Sequence, residues 1–213
     1  MADTKKPLLD GTAFFETVEE STSRPGRGYD GDAKQYDAAS EHVLVLLGDA
    51  VDAFHRGSFG TSTFLAITAL EETAKAELLI FRSEQAGTGP ASGPDPLRSH
   101  KKKHRLAVRP TVFMGQRLVT TLGEDRCAEL KSDAETGKLI ALREASLYVE
   151  YGAADIVTPK QAVAAGKARD ILLLALEAAD DILVGWTDAS YRLGDRIDPL
   201  FEEIRTYEVA AAT

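Results

Sequence analysis

Apolar residues recur every three to four positions in four long runs of the chain, the spacing of helix faces and not of strands. From Ala33 to Arg56 the recurring positions are Val43, Leu44, Leu46, Leu47, Ala50, Val51 and Phe54, and Gly57 supplies the stop. The run from Ser58 to Arg82 is apolar on almost every side: Leu65, Ala69, Ala76 and Ile80 share one, Leu70 and Phe81 a second, Ile67 and Leu78 a third. A helix of that kind is central, covered by several neighbours. The tight turn before it predicts an antiparallel helical hairpin. A third run predicts one long helix over about Glu124–Tyr151, with Gly137 as a weak point and Leu147 and Tyr148 on its apolar side. A fourth spans Val163 to about Trp186, and a short amphipathic helix is expected over Pro199–Glu208. Shorter pieces lie at Arg98–Arg109, which Pro110 should end, and at Thr111–Leu122. Pro159 suits the first helical position after Thr158. Gln85–Leu97 is a Gly/Pro-rich surface loop, and Gly152–Thr158 a connection. No alternation of strand type and no repeat occurs, so the expected class is all-α. Residues 1–33 read as an N-terminal arm and loop, and residues 34–213 as a single all-α domain.

Two polar interruptions change this picture. On the second helix Thr68, Glu71, Glu72 and Lys75 fall within about a third of the circumference. Charges on an otherwise buried helix must be paired or face a water-filled cleft. Downstream, Arg98-Ser-His-Lys-Lys-Lys-His-Arg-Leu-Ala-Val-Arg109 holds six Lys or Arg, two of the four histidines and no acid. The expectation is that the carboxylate sector and this basic segment build one site.

The whole chain of 213 residues carries a net charge of −9, so that short segment sits on a body near −15. An acidic body excludes general coating of nucleic acid, whereas a local basic patch can still hold a phosphate backbone at one place. No uninterrupted apolar run reaches the length of a membrane span, and the N-terminus lacks the apolar run of a secretory signal. Cys127 is the single cysteine and has no internal partner. The cytoplasm is the expected compartment.

Three pieces, in this order, resemble the AbiV-type abortive-infection family, a branch of the HEPN helical superfamily. They are the hairpin Leu47–Ala50 through Gly57-Ser58 into Leu65-Ala-Ile-Thr-Ala-Leu-Glu-Glu-Thr-Ala-Lys75; Ser99-His-Lys-Lys-Lys-His104, similar to a His-x-x-Lys element; and Leu142-Arg-Glu-Ala-Ser-Leu-Tyr-Val-Glu-Tyr151, similar to a basic lead into a Tyr-Val-acid motif. The resemblance covers about residues 40–185. It implies a HEPN-like helical bundle and a bacterial antiphage protein that arrests the infected cell, often by stopping translation. Many HEPN domains are metal-independent ribonucleases that use an Arg-x4-6-His motif across a homodimer. Here Arg98 and His104 give Arg-x5-His, while His100 and Lys103 give His-x-x-Lys. The partners implied are RNA (tRNA, rRNA or mRNA), a second copy of the chain and a phage protein as trigger.

Cleaving RNA without a metal requires a group that takes the 2′-hydroxyl proton, a donor for the leaving 5′-oxygen, and a cation for the charge on phosphorus. Arg98, His100, Lys103 and His104 offer imidazole, guanidinium and ammonium within two helical turns and are the candidate catalytic residues. Glu71, Glu72, Lys75 and Tyr148 are candidate supporting residues, with one carboxylate orienting His100 or a lysine. Lys101, Lys102, Arg105 and Arg143 are candidate RNA contacts. No cofactor is expected. His100 and His104 at i, i+4 also match paired metal-ligand spacing, with Glu71 or Glu72 to complete a set, but the surrounding cations would repel a divalent ion, so no metal is expected. The alternative to an enzyme is a helical protein that blocks translation or phage growth by binding a phage or ribosome-associated partner.

Overall fold

The computed structural model describes residues 15–16, 18–19, 33–81, 95–108, 116–152 and 155–207. Most of the expected arm at 1–33, and most of the loop at 85–97, lie outside them. The first helix, α1, spans Ala33–His55, and α2 spans Phe59–Phe81. Between them Gly57 takes φ +71°, its N–H donates to Phe54 O (2.9 Å), and Ser58 N–H donates to Ala53 O (2.9 Å). That pair of bonds is a Schellman closure, and the left-handed residue inside it favours glycine. The chain therefore reverses in three residues, and α2 returns along α1.

The hairpin packs on α8 (Ala165–Leu183), whose Ile171, Leu172, Leu173, Leu174, Ile182 and Leu183 are buried. Helix α2 lies centrally: α1, α8, α3 (His100–Ala107), α6 (Lys138–Ala145) and α7 (Pro159–Ala162) all pack on it. Helix α9 (Leu193–Thr206) covers α8 and α1 with a stripe of Leu193, Ile197, Phe201 and Ile204. Long polar ties lock the layers. Tyr36 Oη donates to Leu183 O (3.0 Å), and Arg169 donates to the carbonyls of Ile204 (3.1 Å) and Arg205 (2.6 Å) at the end of α9. Those are carbonyls that a helix end leaves without an internal partner.

Several expectations are corrected. The long third helix is broken at Gly137, which adopts φ +89° and divides α5 (Glu124–Thr136) from α6. The helix then ends at Ala145, and Glu150–Tyr151 (β1) pairs antiparallel with Ile156–Val157 (β2), a short hairpin where a helix end and a connection were expected. Its turn closes through Gly152 N–H to Asp155 O (2.8 Å). Tyr148 and Leu147, taken as part of an apolar helix side, stand in the exposed approach to it, 64% and 43% exposed. The segment before Leu122 is helical over Arg117–Leu122 (α4); residues 109–115 are outside those described. The fourth long helix starts at Ala165 and ends at Leu183, inside the expected limits. The last helix starts six residues earlier than expected, with Pro199 inside it and not at its start, because the apolar stripe already begins at Leu193. Pro159 does open α7, with Thr158 N–H donating to Gln161 Oε1 (2.9 Å). Among the described residues no helix is long and apolar enough to cross a membrane.

Candidate active site

Glu71 stands midway along α2, where helices cover it on several sides, and its side chain is 4% exposed. The chain that satisfies it comes from α3. Ser99 opens that helix by accepting from Lys102 N–H (3.3 Å). With the start fixed there, positions 100, 103 and 104 share the face turned to α2. His100 Nδ1 lies 2.7 Å and Lys103 Nζ 2.9 Å from Glu71 Oε2, and His104 Nε2 lies 3.0 Å from Oε1. The four differ sharply in access. His104 is fully buried and Lys103 nearly so, whereas the His100 side chain is 44% exposed.

Burial alone would raise the Glu71 pKa, but hydrogen bonds from His104 and Lys103, reinforced by their charge, overcome it and hold the carboxyl at about 2. An ionised carboxylate accepts only, so both imidazole nitrogens facing it carry a proton. Neutral His100 therefore keeps its lone pair on Nε2, on the edge away from Glu71. Neutral His104 keeps its own on Nδ1, a buried atom with no hydrogen-bond partner. A further cation comes from α6: Arg143 Nε is 4.0 Å from Glu71 Oε1, and its guanidinium lies 4.8 Å over the ring of Phe64. With both histidines neutral, Glu71, Lys103 and Arg143 still sum to one positive charge, an environment suited to an anion.

The structure thus joins Glu71, His100, Lys103, His104 and Arg143. It does not join Glu72 and Lys75 to them; these pair with each other on the more open side of α2 (2.7 Å). Tyr148 lies instead against the shallow groove of Ala141, Glu144, Ala145, Val149 and Glu150. Arg98 closes a 3₁₀ turn, Pro96–Arg98, with its side chain exposed; Lys101 and Arg105 are exposed along α3, and Lys102 is half-buried. Among the described residues there is no group of three or more His, Cys, Asp or Glu placed to hold a metal.

A second charged cluster was missed from the sequence. Arg117 donates to Glu177, to Asp198 (2.6 Å) and to Asp180 (3.3 Å), and its guanidinium lies 4.0 Å over the Phe201 ring. Burial holds the Glu177 and Asp180 carboxyls above their ordinary range despite Arg117. This arrangement ties α4 to α8 and α9 and is a structural clamp. Its signal in the sequence is Glu177, an acid inside the apolar run 171–179, with Asp180 three positions on.

Residues 33–179 match the family model HEPN_AbiV, described as AbiV. No curated protein and no solved structure matches the chain.

Proposed function

The chain belongs to the AbiV family, and from that premise we propose that it is an abortive-infection ribonuclease of the HEPN type, cutting RNA needed for translation without a metal. The observation that carries this reading is the His100–Glu71 pair: a half-exposed imidazole whose Nδ1 is 2.7 Å from a buried carboxylate. Such a carboxylate fixes the tautomer, aims the opposite nitrogen outward and stabilises the imidazolium once formed. His100 Nε2 takes the proton of an RNA 2′-hydroxyl. The 2′-oxygen bonds to the adjacent phosphorus as the bond from phosphorus to the 5′-oxygen breaks, leaving a 2′,3′-cyclic phosphate. The departing 5′-oxygen takes a proton from water, and His100 returns its own to solvent. Lys103 and His104, nearly and fully buried, act through Glu71 by keeping it ionised and still. Arg98, Lys101, Lys102 and Arg105 lie along the open side of the same segment and hold the flanking phosphates.

The test incubates the purified protein with tRNA and total bacterial RNA, in EDTA and in Mg²⁺, beside His100→Ala. Cleavage in EDTA that falls by about 10²–10⁴-fold in the variant is expected for loss of a general base. Equal cleavage by the variant would remove His100 from the chemistry.

The partner-binding reading has one observation of its own, the exposed apolar hairpin: Tyr151 is 78% and Ile156 57% exposed, opposite each other across the strands. It expects growth arrest that survives His100→Ala and is lost when Tyr151 and Ile156 are made polar.

A further inference from the structure

We infer that the guanidinium acting on the scissile phosphate is that of Arg143, on α6, and not that of Arg98, which supplies the Arg-x5-His spacing. This inference rests on the ribonuclease reading of the Glu71–His100 site and adds the group that meets the developing charge. Arg98 lies ahead of the α3 cap with its side chain exposed and makes no ion pair with Glu71. Arg143 approaches the same carboxylate that holds His100, and it does so incompletely. Its Nε is buried, stands 4.0 Å from Glu71 Oε1 and has no hydrogen-bond partner.

An unpaired buried donor on a charged group is costly unless another acceptor completes it. Glu71 is already engaged by three donors, from His100, Lys103 and His104. The guanidinium carbon lies 4.8 Å over the Phe64 ring, a cation–π contact that uses none of its N–H groups. The side chain as a whole remains 26% exposed although Nε is buried, so an incoming anion meets the terminal nitrogens of the guanidinium. A planar fork of donors, facing the same carboxylate as a half-exposed imidazole and short of acceptors, matches two non-bridging oxygens of one phosphate. The chemical class recognised is a phosphodiester. Arg143 makes and breaks no covalent bond; it donates to the two oxygens as negative charge accumulates on them.

The experiment measures single-turnover cleavage of a short RNA in EDTA by the full-length protein, Arg143→Ala, Arg143→Lys and Arg98→Ala, with binding of the 2′-O-methyl form of the same RNA read in parallel. Arg143→Ala should lower the cleavage rate at saturation by about 10²–10³-fold, the usual loss for a donor at a developing oxyanion. Binding of the uncleavable RNA should change only a few-fold. Added guanidinium ion should restore part of the lost rate, a rescue that a purely structural role would not give. Arg143→Lys, which keeps the charge beside Glu71 and hence the fold, should also be slow for want of the fork. Arg98→Ala should weaken binding of the uncleavable RNA a few-fold, as loss of a flanking-phosphate contact does, and lower the saturating rate far less than Arg143→Ala. Cleavage by Arg143→Lys and Arg143→Ala at the unsubstituted rate, or a rate loss that follows Arg98 instead, would overturn the assignment while leaving the ribonuclease reading intact. No cleavage by the unsubstituted protein would overturn both.

Discussion

Replacing Glu71 by Gln removes one charge and almost no volume, which makes it the cleanest perturbation of the buried cluster. In the folded protein the carboxyl is shifted from an ordinary 4.5 to about 2, which corresponds by linkage to about 3 kcal/mol of stability near neutral pH. A separate route gives a similar size. Deleting one partner of a buried ion pair typically costs about 3–5 kcal/mol, because the other charge stays buried without compensation. Here that charge is Lys103, whose side chain is 8% exposed. The amide also presents an NH₂ group to a site already crowded with donors. Urea unfolding at pH 7 followed by circular dichroism should show a lower midpoint with little change in slope, for a loss of about 3–5 kcal/mol. The matched control is Glu72→Gln, which breaks a part-exposed pair with Lys75 and should cost about 0–1 kcal/mol. The pH dependence has a definite sign. The folded pKa is depressed, so the unfolded state binds the extra proton between the two values. The Glu71 contribution is complete above about 4.5 and is lost as pH falls through 4.5 towards 2. The difference between the unsubstituted protein and Glu71→Gln should therefore shrink over that window. A Glu71→Gln protein within about 1 kcal/mol of the unsubstituted one at pH 7 would refute the argument that a buried, ionised Glu71 anchors α3 to α2.

Other consequences are equally direct. Arg117→Met should leave the buried Glu177 without its cation and cost about 3–5 kcal/mol, seen as a lower urea midpoint; an unchanged midpoint would show the clamp to be dispensable. Gly60→Ala would place a Cβ 2.6 Å from the Ser146 carbonyl oxygen and 2.9 Å from Pro159 Cβ, so thermal unfolding should reveal a loss of about 1–3 kcal/mol as the segment after α6 and α7 is pushed off α2. Cys127 is fully buried, and burial together with the charge of Asp170 pushes its thiol up to about 11. A thiol reagent at pH 7 should leave it unmodified in the native protein and modify it completely in urea.

What could be read in the sequence was the part governed by local periodicity. The α1–α2 hairpin follows from apolar spacing and Gly57, and the burial of α2 follows from the apolar residues on nearly every side of it. A charge in the middle of such a helix, with a histidine- and lysine-rich segment downstream, was enough to anticipate a shared site. Which carboxylate turns inward was not legible. Glu71 and Glu72 are about 100° apart on the helix, and only the placement of α3 makes Glu71 the acceptor and leaves Glu72 to Lys75. The inward position of Arg143 depends on the break at Gly137, which lets α6 take its own direction across α2. The β-hairpin has two-residue strands, too short for alternation to register, and its pairing is settled by the Gly152 turn. The Arg117 clamp joins residues 60 to 81 positions apart, beyond the reach of any local pattern.

The central claim, a metal-independent ribonuclease built on Glu71 and His100, is tested most directly by the ends of its products. RNA treated with the purified protein in EDTA should yield fragments with 2′,3′-cyclic phosphate and 5′-hydroxyl ends, and His100→Ala should yield none above background. Fragments bearing 5′-phosphate ends that require Mg²⁺, or the same cyclic-phosphate fragments from His100→Ala, would contradict it.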